Sequence, residues 1–282
     1  MITLNSPKKK DIKNIMIVVF LVVLVLLYLS PLGMMILNAF KSYSEIMTNV
    51  LAAPKKLSFK NFEVVFKDMN YPKVFLNTLF VTVIGVAGIV LFGSMAGYKM
   101  ARIKTRYSKL SFLYCIMPMM VPFQSFMITL VVIARHLGFT NSLLGLGIIY
   151  WGLGCPMAIF LYQGFTKTIP YELEEAAIVE GCTGFPLFFT VVFPLLKSVS
   201  ASVIVVNAMW IWNDFLLPLL IIGGSKSSKT LQLAAYSFMG QYKSEWQNIM
   251  AAAILIIIPA LVIYVIFQKH IIKGLVAGAV KG

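Results

Sequence analysis

The chain has 282 residues, of which 60% are hydrophobic and only 12% charged, and its mean hydropathy is +0.88. These values lie outside the range of ordinary soluble domains and indicate an integral membrane protein. The net charge of +14 does not indicate nucleic-acid binding, because the basic residues form short clusters between apolar runs, as at a cytoplasmic membrane surface. The three cysteines lack metal-ligand spacing and the two histidines are isolated, so we expect neither a disulfide framework nor a metal site.

Six apolar runs are each long enough for a helix to cross a hydrocarbon core of about 30 Å. In chain order they cover residues 15–37, 75–98, 110–134, 143–162, 199–222 and 249–267. Because the backbone in lipid must be hydrogen-bonded internally, we predict an all-α integral membrane protein with six transmembrane helices. Five prolines inside the runs are expected to kink these helices: Pro31, Pro118, Pro122, Pro218 and Pro259.

Lysine and arginine in the connections predict the orientation. The N-terminal tail (residues 1–14) carries four lysines and the connection 99–109 carries five basic residues, so the positive-inside rule places both in the cytoplasm. Six crossings then place the C-terminal tail (residues 268–282) in the cytoplasm too. Residues 38–74 and 223–248 become outer connections, and residues 75–267 form the core domain.

The longest cytoplasmic connection, residues 163–198, contains an acidic amphipathic segment. We expect Thr168 to cap a helix with Pro170 in its first turn, and Gly181 to end it in a left-handed turn. A second short helix would begin near Thr183 and stop at Pro194. From the residues alone, this helix–turn–helix could be a docking site for a soluble partner or a solvated linker. Four of the ten carboxylates lie in the segment: Glu172, Glu174, Glu175 and Glu180.

The spacing of Glu175-Ala176-Ala177, Gly181 and Pro194 resembles the EAA signature of permease subunits of ABC importers. In that signature Glu-Ala-Ala is followed by three residues, Gly, nine residues and Ile-x-Leu-Pro. Residues 212–219 (WNDFLLPL) also resemble the fifth-helix motif of MalG-like carbohydrate permeases. On these motifs the chain is identified as a member of the MalG-like family, with the topology of type I importers.

The resemblance implies a subunit with no catalytic residues and no cofactor of its own, because partner ATPase subunits bind ATP and Mg. It implies three kinds of protein partner: a second, homologous permease subunit in a heterodimer, two ATPase subunits, and an extracytoplasmic sugar-binding protein. The expected location is the cytoplasmic membrane of a bacterium or archaeon, with lipids and without nucleic acid as partners. The residues implied in coupling to the ATPase are Glu172, Glu174, Glu175, Ala176, Ala177, Glu180, Gly181 and Pro194.

A second candidate site surrounds Asp214, the only formal charge inside a predicted membrane run. Burying a carboxylate in a membrane costs about 2.5–3.5 kcal/mol, so Asp214 must face polar groups or water. Its role could be in the transport pathway or in a hydrogen-bonded lock between helices. The polar residues grouped with it are Asn207, Trp210 and Asn213, together with Gln124 from the kinked third run.

The outer connection 223–248 is a candidate contact surface for the binding protein, because it combines flexible and aromatic residues; an inert connector is the alternative. Its candidate contact residues are Ser225, Lys226, Tyr242 and Trp246. Two other functions remain open for the whole chain: an ABC importer permease for a non-sugar solute, or a secondary transporter without partners. The secondary transporter would normally need several buried ionisable groups, and only Asp214 is available.

Overall fold

The computed structural model describes residues 9–225, 227–240 and 244–279. Throughout these residues the regular structure is helical apart from one isolated bridge between Met239 and Ser244, which confirms the predicted all-α class. The helices are α1 (Lys9–Ala39), α2 (Tyr43–Thr48), α3 (Lys60–Asp68), α4 (Tyr71–Arg102), α5 (Arg106–Ile116), α6 (Phe123–His136), α7 (Leu143–Thr166), α8 (Glu172–Val179), α9 (Gly184–Leu187), α10 (Phe193–Leu195), α11 (Lys197–Asn213), α12 (Leu216–Ile222), α13 (Leu231–Ala235) and α14 (Trp246–Ala279).

The chain divides into two compact units. The first unit comprises residues 1–68 and 237–255, and the second comprises residues 69–236 and 256–282.

In the described residues, three helices are long and apolar enough to cross a membrane: α1 from Lys13, α4 and α7. The number rises to five if each of two bent helix pairs forms one span. In α14 the apolar section Trp246–Val262 is shorter. The six spans and the orientation of the termini stay predictions.

The predicted third run is divided by a sharp bend rather than a kink. α5 continues through a 3-10 turn (Met117–Met120), and the axis then turns by 105° before α6. Val121 is extended at this point, with φ −97° and ψ 121°. The cause is local, because the ring of Pro122 disfavours a helical conformation for the residue that precedes it.

The predicted fifth run is also interrupted. α11 ends at Asn213 and α12 begins at Leu216, so Asp214 lies in a break between two helices and not within one. At the other end of α11, Leu196 separates it from the preceding helical segment, with a bend of 79° between Gly184–Leu195 and Lys197–Asn213. Pro194, the predicted stop of the second short helix, lies just before this bend, and the helix ends one residue later at Leu195.

α4 and α7 form the closely packed centre of the second unit. A Cβ placed on Gly93 would lie 2.7 Å from Cβ of Ala158, and one on Gly97 would lie 2.6 Å from Cβ of Tyr162. Both distances are too short for real atoms, so only glycine permits this approach of the two backbones. The Gly93/Gly97 pair therefore permits close packing of the two helices.

In the first unit, the end of α1 is tied to the chain that follows it through a buried lysine. Lys41 is 2% exposed, and its Nζ donates to Asn38 Oδ1 at 2.9 Å and to the carbonyl oxygens of Asn49 and Val50, both at 3.1 Å. Asn61 donates to the carbonyl oxygens of Ala39 and Lys41, both at 2.8 Å. These bonds satisfy the buried ammonium group with neutral acceptors and hold the segment after α1 in place.

Candidate functional site: the α8 segment and a cavity beside Asp214

The start of α8 differs from the prediction. The helix begins at Glu172, and the amides of Glu174 and Glu175 donate to the carbonyl oxygen of Tyr171. Thr168 does not cap it, because Tyr171 is the N-cap residue and Thr168 lies three residues before it. The Thr168 hydroxyl instead donates to the carbonyl oxygen of Phe165 at 2.8 Å, at the end of α7. Three glutamates in the first turn stabilise the helix through its dipole instead.

The end of α8 confirms the prediction for Gly181. This residue has φ +86°, in the left-handed region that favours glycine. Its amide donates to the carbonyl oxygen of Ile178, and the amide of Cys182 donates to that of Ala177, both at 2.9 Å. Together these bonds form a Schellman motif, which satisfies the last carbonyl groups and ends the helix sharply.

One side of α8 is open to solvent. Its exposed residues at helical spacing, which we call the docking face, are Glu172, Glu175, Ala176 and Val179. Val179 is 88% exposed, and Phe185, just beyond the turn, is 66% exposed. Apolar groups beside carboxylates on an exposed helix are typical of a surface that a protein partner covers. Of the other residues implied in coupling, Glu180, Gly181 and Pro194 are exposed and Ala177 is half-buried.

Glu174 does not belong to this exposed surface. Its side chain is 2% exposed and turns towards α4. There its carboxylate accepts a hydrogen bond from the Tyr98 hydroxyl at 2.8 Å and one from Arg102 Nε at 2.7 Å. The family resemblance implies that Glu174 acts in coupling to the ATPase, whereas the structure places it in an internal ion pair. Tyr98 and Arg102 are one helical turn apart, but nothing local to α8 identifies them as its partners.

The π-helical turn Phe188–Val192 precedes Pro194. Here the amide of Phe193 donates to the carbonyl oxygen of Phe188, five residues back. Because Pro194 has no N–H and its ring crowds the preceding turn, the wider turn accommodates it without ending the helix there. The helix ends one residue later and bends into α11.

A cavity of about 410 Å³ lies beside Asp214 in the second unit, with Trp210 and Gln124 in its wall. Asp214 Oδ2 accepts a hydrogen bond from the Tyr150 hydroxyl at 2.7 Å, and Oδ1 accepts one from the amide of Leu216 at 3.0 Å. The ring of Trp210 packs edge-on against that of Tyr150, with the centroids 5.3 Å apart. Asp214 thus both links α7 to the start of α12 and borders a cavity.

The structure does not place the two asparagines of the predicted polar group in this cavity wall. Asn207 is 2% exposed and donates to the carbonyl oxygen of Val203 in its own helix. Asn213 is exposed and donates to the carbonyl oxygen of Met209. Both amides therefore donate to carbonyl oxygens one turn back along α11. Of the predicted polar group, Trp210, Asp214 and Gln124 line the cavity.

The candidate outer loop is partly fastened to α4. Ser225 Oγ accepts hydrogen bonds from the amides of Ser227 and Ser228, and Asn77 Nδ2 donates to the carbonyl oxygen of Lys229 at 2.9 Å. Trp246, in the other unit, begins α14 and is 40% exposed. Lys226 and Tyr242 lie outside the described residues. A contact between these residues and a binding protein stays a prediction.

The fold is that of a known class of membrane transporter. One solved structure, described as a bacterial ABC transporter involved in the import of the acidic polysaccharide alginate, superposes with a TM-score of 0.78. The match covers 95% of this chain and 99% of that chain at 20% sequence identity. The chain therefore has the fold of an ABC importer permease.

Sequence relatives then identify the family. Residues 89–276 match the family described as binding-protein-dependent transport system inner membrane component. The probable starch degradation products transport system permease protein AmyC of Thermoanaerobacterium thermosulfurigenes is 36% identical over 97% of this chain and 99% of its own length. The multiple sugar-binding transport system permease protein MsmG of Streptococcus mutans is 36% identical over 91% and 93%. The arabinooligosaccharides transport system permease protein AraQ of Bacillus subtilis is 30% identical over 99% of both chains.

The chain belongs to this family. It is a multi-pass membrane protein and the permease subunit of a binding-protein-dependent importer.

Proposed function

We propose that this permease subunit imports carbohydrates, with oligosaccharides as the substrate class, across the cytoplasmic membrane of a bacterium. The observation that carries the substrate class is the set of relatives at 30–36% identity along nearly the whole chain, whose names specify starch degradation products, multiple sugars and arabinooligosaccharides. The subunit forms half of the pathway beside a second, homologous permease. Two ATPase subunits bind ATP and Mg, an extracytoplasmic binding protein delivers the solute, and this chain itself catalyses no reaction.

We infer that α8 is the helix on which an ATPase subunit docks. Its docking face (Glu172, Glu175, Ala176 and Val179) is exposed, and small and apolar residues on it permit close approach by another surface. Both ends of the helix are well defined, by the acidic first turn and by the Schellman motif at Gly181. A short rigid helix with an exposed apolar face suits the transmission of motion better than a solvated linker does.

The experiment combines Glu175→Lys, which reverses a charge on the docking face, with Ala177→Asp, which adds a carboxylate at a half-buried position two residues further along α8. We expect the variant to insert into the membrane but to lose co-purification with the ATPase subunits and solute uptake. The matched control is Glu63→Lys, the same charge reversal at an exposed position on α3. Normal assembly and uptake in the α8 variant would exclude the docking role. Uptake that survives ATP depletion but stops when ion gradients collapse would instead favour a secondary transporter.

We further propose that the cavity beside Asp214 belongs to the solute pathway. A cavity of about 410 Å³ with an aromatic ring and a few polar groups in its wall has the size and the lining expected for a small-molecule site. Asp214→Asn keeps the shape of the side chain and removes its charge. A fully assembled complex with altered solute preference would support this role, and Asn213→Ala, outside the cavity wall, is the control. Unchanged preference in Asp214→Asn would leave Asp214 as a helix lock alone.

A further inference from the structure

Glu174 makes a direct side-chain contact between α8 and α4. Its Oε1 lies 2.7 Å from Arg102 Nε and 2.6 Å from Arg102 Nη2, and its Oε2 accepts from the Tyr98 hydroxyl. The same guanidinium group donates to the carbonyl oxygen of Ile169 at 3.1 Å and lies 5.5 Å from the ring centroid of Tyr171. One arginine at the end of α4 therefore holds both α8 and the chain that leads into it.

Two short connections flank α8. Residues 167–171 separate α7 from α8, and Gly181 and Gly184 both have positive φ after it, at +86° and +65°. A Cβ on either glycine would meet nothing within 4 Å, so neither position is held by packing. The direct side-chain contact gives displacement of α8 a route to α4 that does not depend on these connections.

The burial of the ion pair argues against a role in general stability. Arg102 is 16% exposed and Glu174 2% exposed, so both charges have lost most of their hydration. Buried ion pairs contribute little net stability because desolvation offsets the attraction, whereas they do define one geometry. The fork of the guanidinium group and the added tyrosine bond fix the direction in which α8 lies against α4.

α4 is in turn rigidly joined to the helix that borders the cavity. Gly93 and Gly97 pack directly against Ala158 and Tyr162 of α7, and such close-packed contacts transmit displacement with little slip. α7 carries Tyr150, whose hydroxyl holds Asp214 in the cavity wall. A continuous series of direct contacts therefore runs from α8 to the cavity.

We propose that Tyr98, Arg102 and Glu174 form a positioning link that passes displacement of α8 to α4, given the docking role of α8 proposed above. The link does not touch the ATPase or the solute. Its loss should therefore leave assembly intact and reduce the efficiency with which ATP hydrolysis drives uptake.

The test uses the complete importer reconstituted in proteoliposomes and measures ATP hydrolysed per solute transported. Glu174→Gln and Arg102→Gln each replace one charge by a neutral hydrogen-bonding side chain, and both variants should assemble with the ATPase subunits as the wild type does. The ATP-to-solute ratio should rise by about 5-fold or more, the lower end of the range for coupling between sites. The exchange Arg102→Glu/Glu174→Arg should restore part of the coupling, Tyr98→Phe should have a smaller effect, and Glu63→Gln on α3 is the matched control.

A normal ratio in both single variants would overturn the link, and so would an exchange variant no better than the single variants. Loss of ATPase assembly in Glu174→Gln would also overturn it, because the pair would then serve docking and not transmission. If α8 is not the docking helix, the result is different. The Glu175→Lys/Ala177→Asp variant then assembles normally with the ATPase subunits, whatever result the Glu174 variants give. If Glu174→Gln does not fold, Tyr98→Phe retains the ion pair and still tests the link through the same ratio.

Discussion

Tyr150→Phe removes one hydroxyl and tests how the Asp214 carboxylate is held in the cavity wall. The lost hydroxyl donates to Asp214 Oδ2 at 2.7 Å. The control is the same substitution on the same helix, Tyr162→Phe, which removes a bond to Ser200 Oγ at 2.9 Å. Both tyrosines are 0% exposed, so the two variants differ chiefly in the charge of the acceptor.

The charge of the acceptor sets the expected magnitudes. A hydrogen bond to a charged group contributes about 1.5–3 kcal/mol, and one between neutral groups about 0.5–1.5 kcal/mol. Asp214 keeps its second hydrogen bond, from the amide of Leu216, and borders a cavity. The free energy of unfolding lost in Tyr150→Phe should therefore not exceed this range. Ser200 can turn its hydroxyl towards its own helix, which keeps the cost of Tyr162→Phe low. At roughly 2 °C per kcal/mol, Tyr150→Phe should lower Tm by about 3–6 °C and Tyr162→Phe by about 1–3 °C.

Thermal unfolding of the purified complex, followed by intrinsic fluorescence, measures both shifts. Combining Tyr150→Phe with Asp214→Asn completes a double-mutant cycle. Because the two residues share one interaction, the double variant should cost at least about 0.5 kcal/mol less than the sum of the single variants. Additive costs, or an equal loss in Tyr162→Phe, would refute the assignment of Tyr150 as the group that holds Asp214.

Two further predictions concern other parts of the chain. Gly97→Val should destabilise the protein by about 1–3 kcal/mol through overpacking against Tyr162. The control is Gly164→Val, where a Cβ meets nothing within 4 Å, and it should change stability by less than about 0.5 kcal/mol. Equal Tm values for the two variants would contradict this prediction. The amides of Ser42 and Lys55 hold the pKa of the Glu45 carboxyl below its ordinary value of 4.5. A lowered pKa in the folded state stabilises α2 above the unfolded pKa, and this contribution is lost as the pH falls through the folded value. The protection factors of the α2 amides, which compare the measured exchange with the intrinsic rate at each pH, should therefore fall as the pH drops below 4.5 in the wild type but not in Glu45→Gln. Identical pH profiles of protection in the two proteins would contradict the assignment.

The helix ends illustrate which details could be predicted. Gly181 was predicted correctly because a left-handed helix end depends on one residue and its immediate neighbours. The Thr168 cap was wrong because the helix begins four residues later, at Glu172, and the Thr168 hydroxyl bonds to the end of the preceding helix. The direction of Glu174 was missed because its partners, Tyr98 and Arg102, lie more than 70 residues away in the chain.

The membrane class, the α-helical architecture and the family could all be predicted from the order of residues along the chain. Composition and apolar run length reflect the lipid solvent directly, and the EAA spacing is a local pattern. The three-dimensional packing was needed to show which α8 carboxylate turns inward and where the third and fifth runs bend. It was also needed to show that Asp214 contacts Tyr150 and borders a cavity. For Glu174 and Asp214 the physical reason is the same: a polar or charged side chain in an apolar environment must find a partner, and that partner can come from any helix brought near by packing.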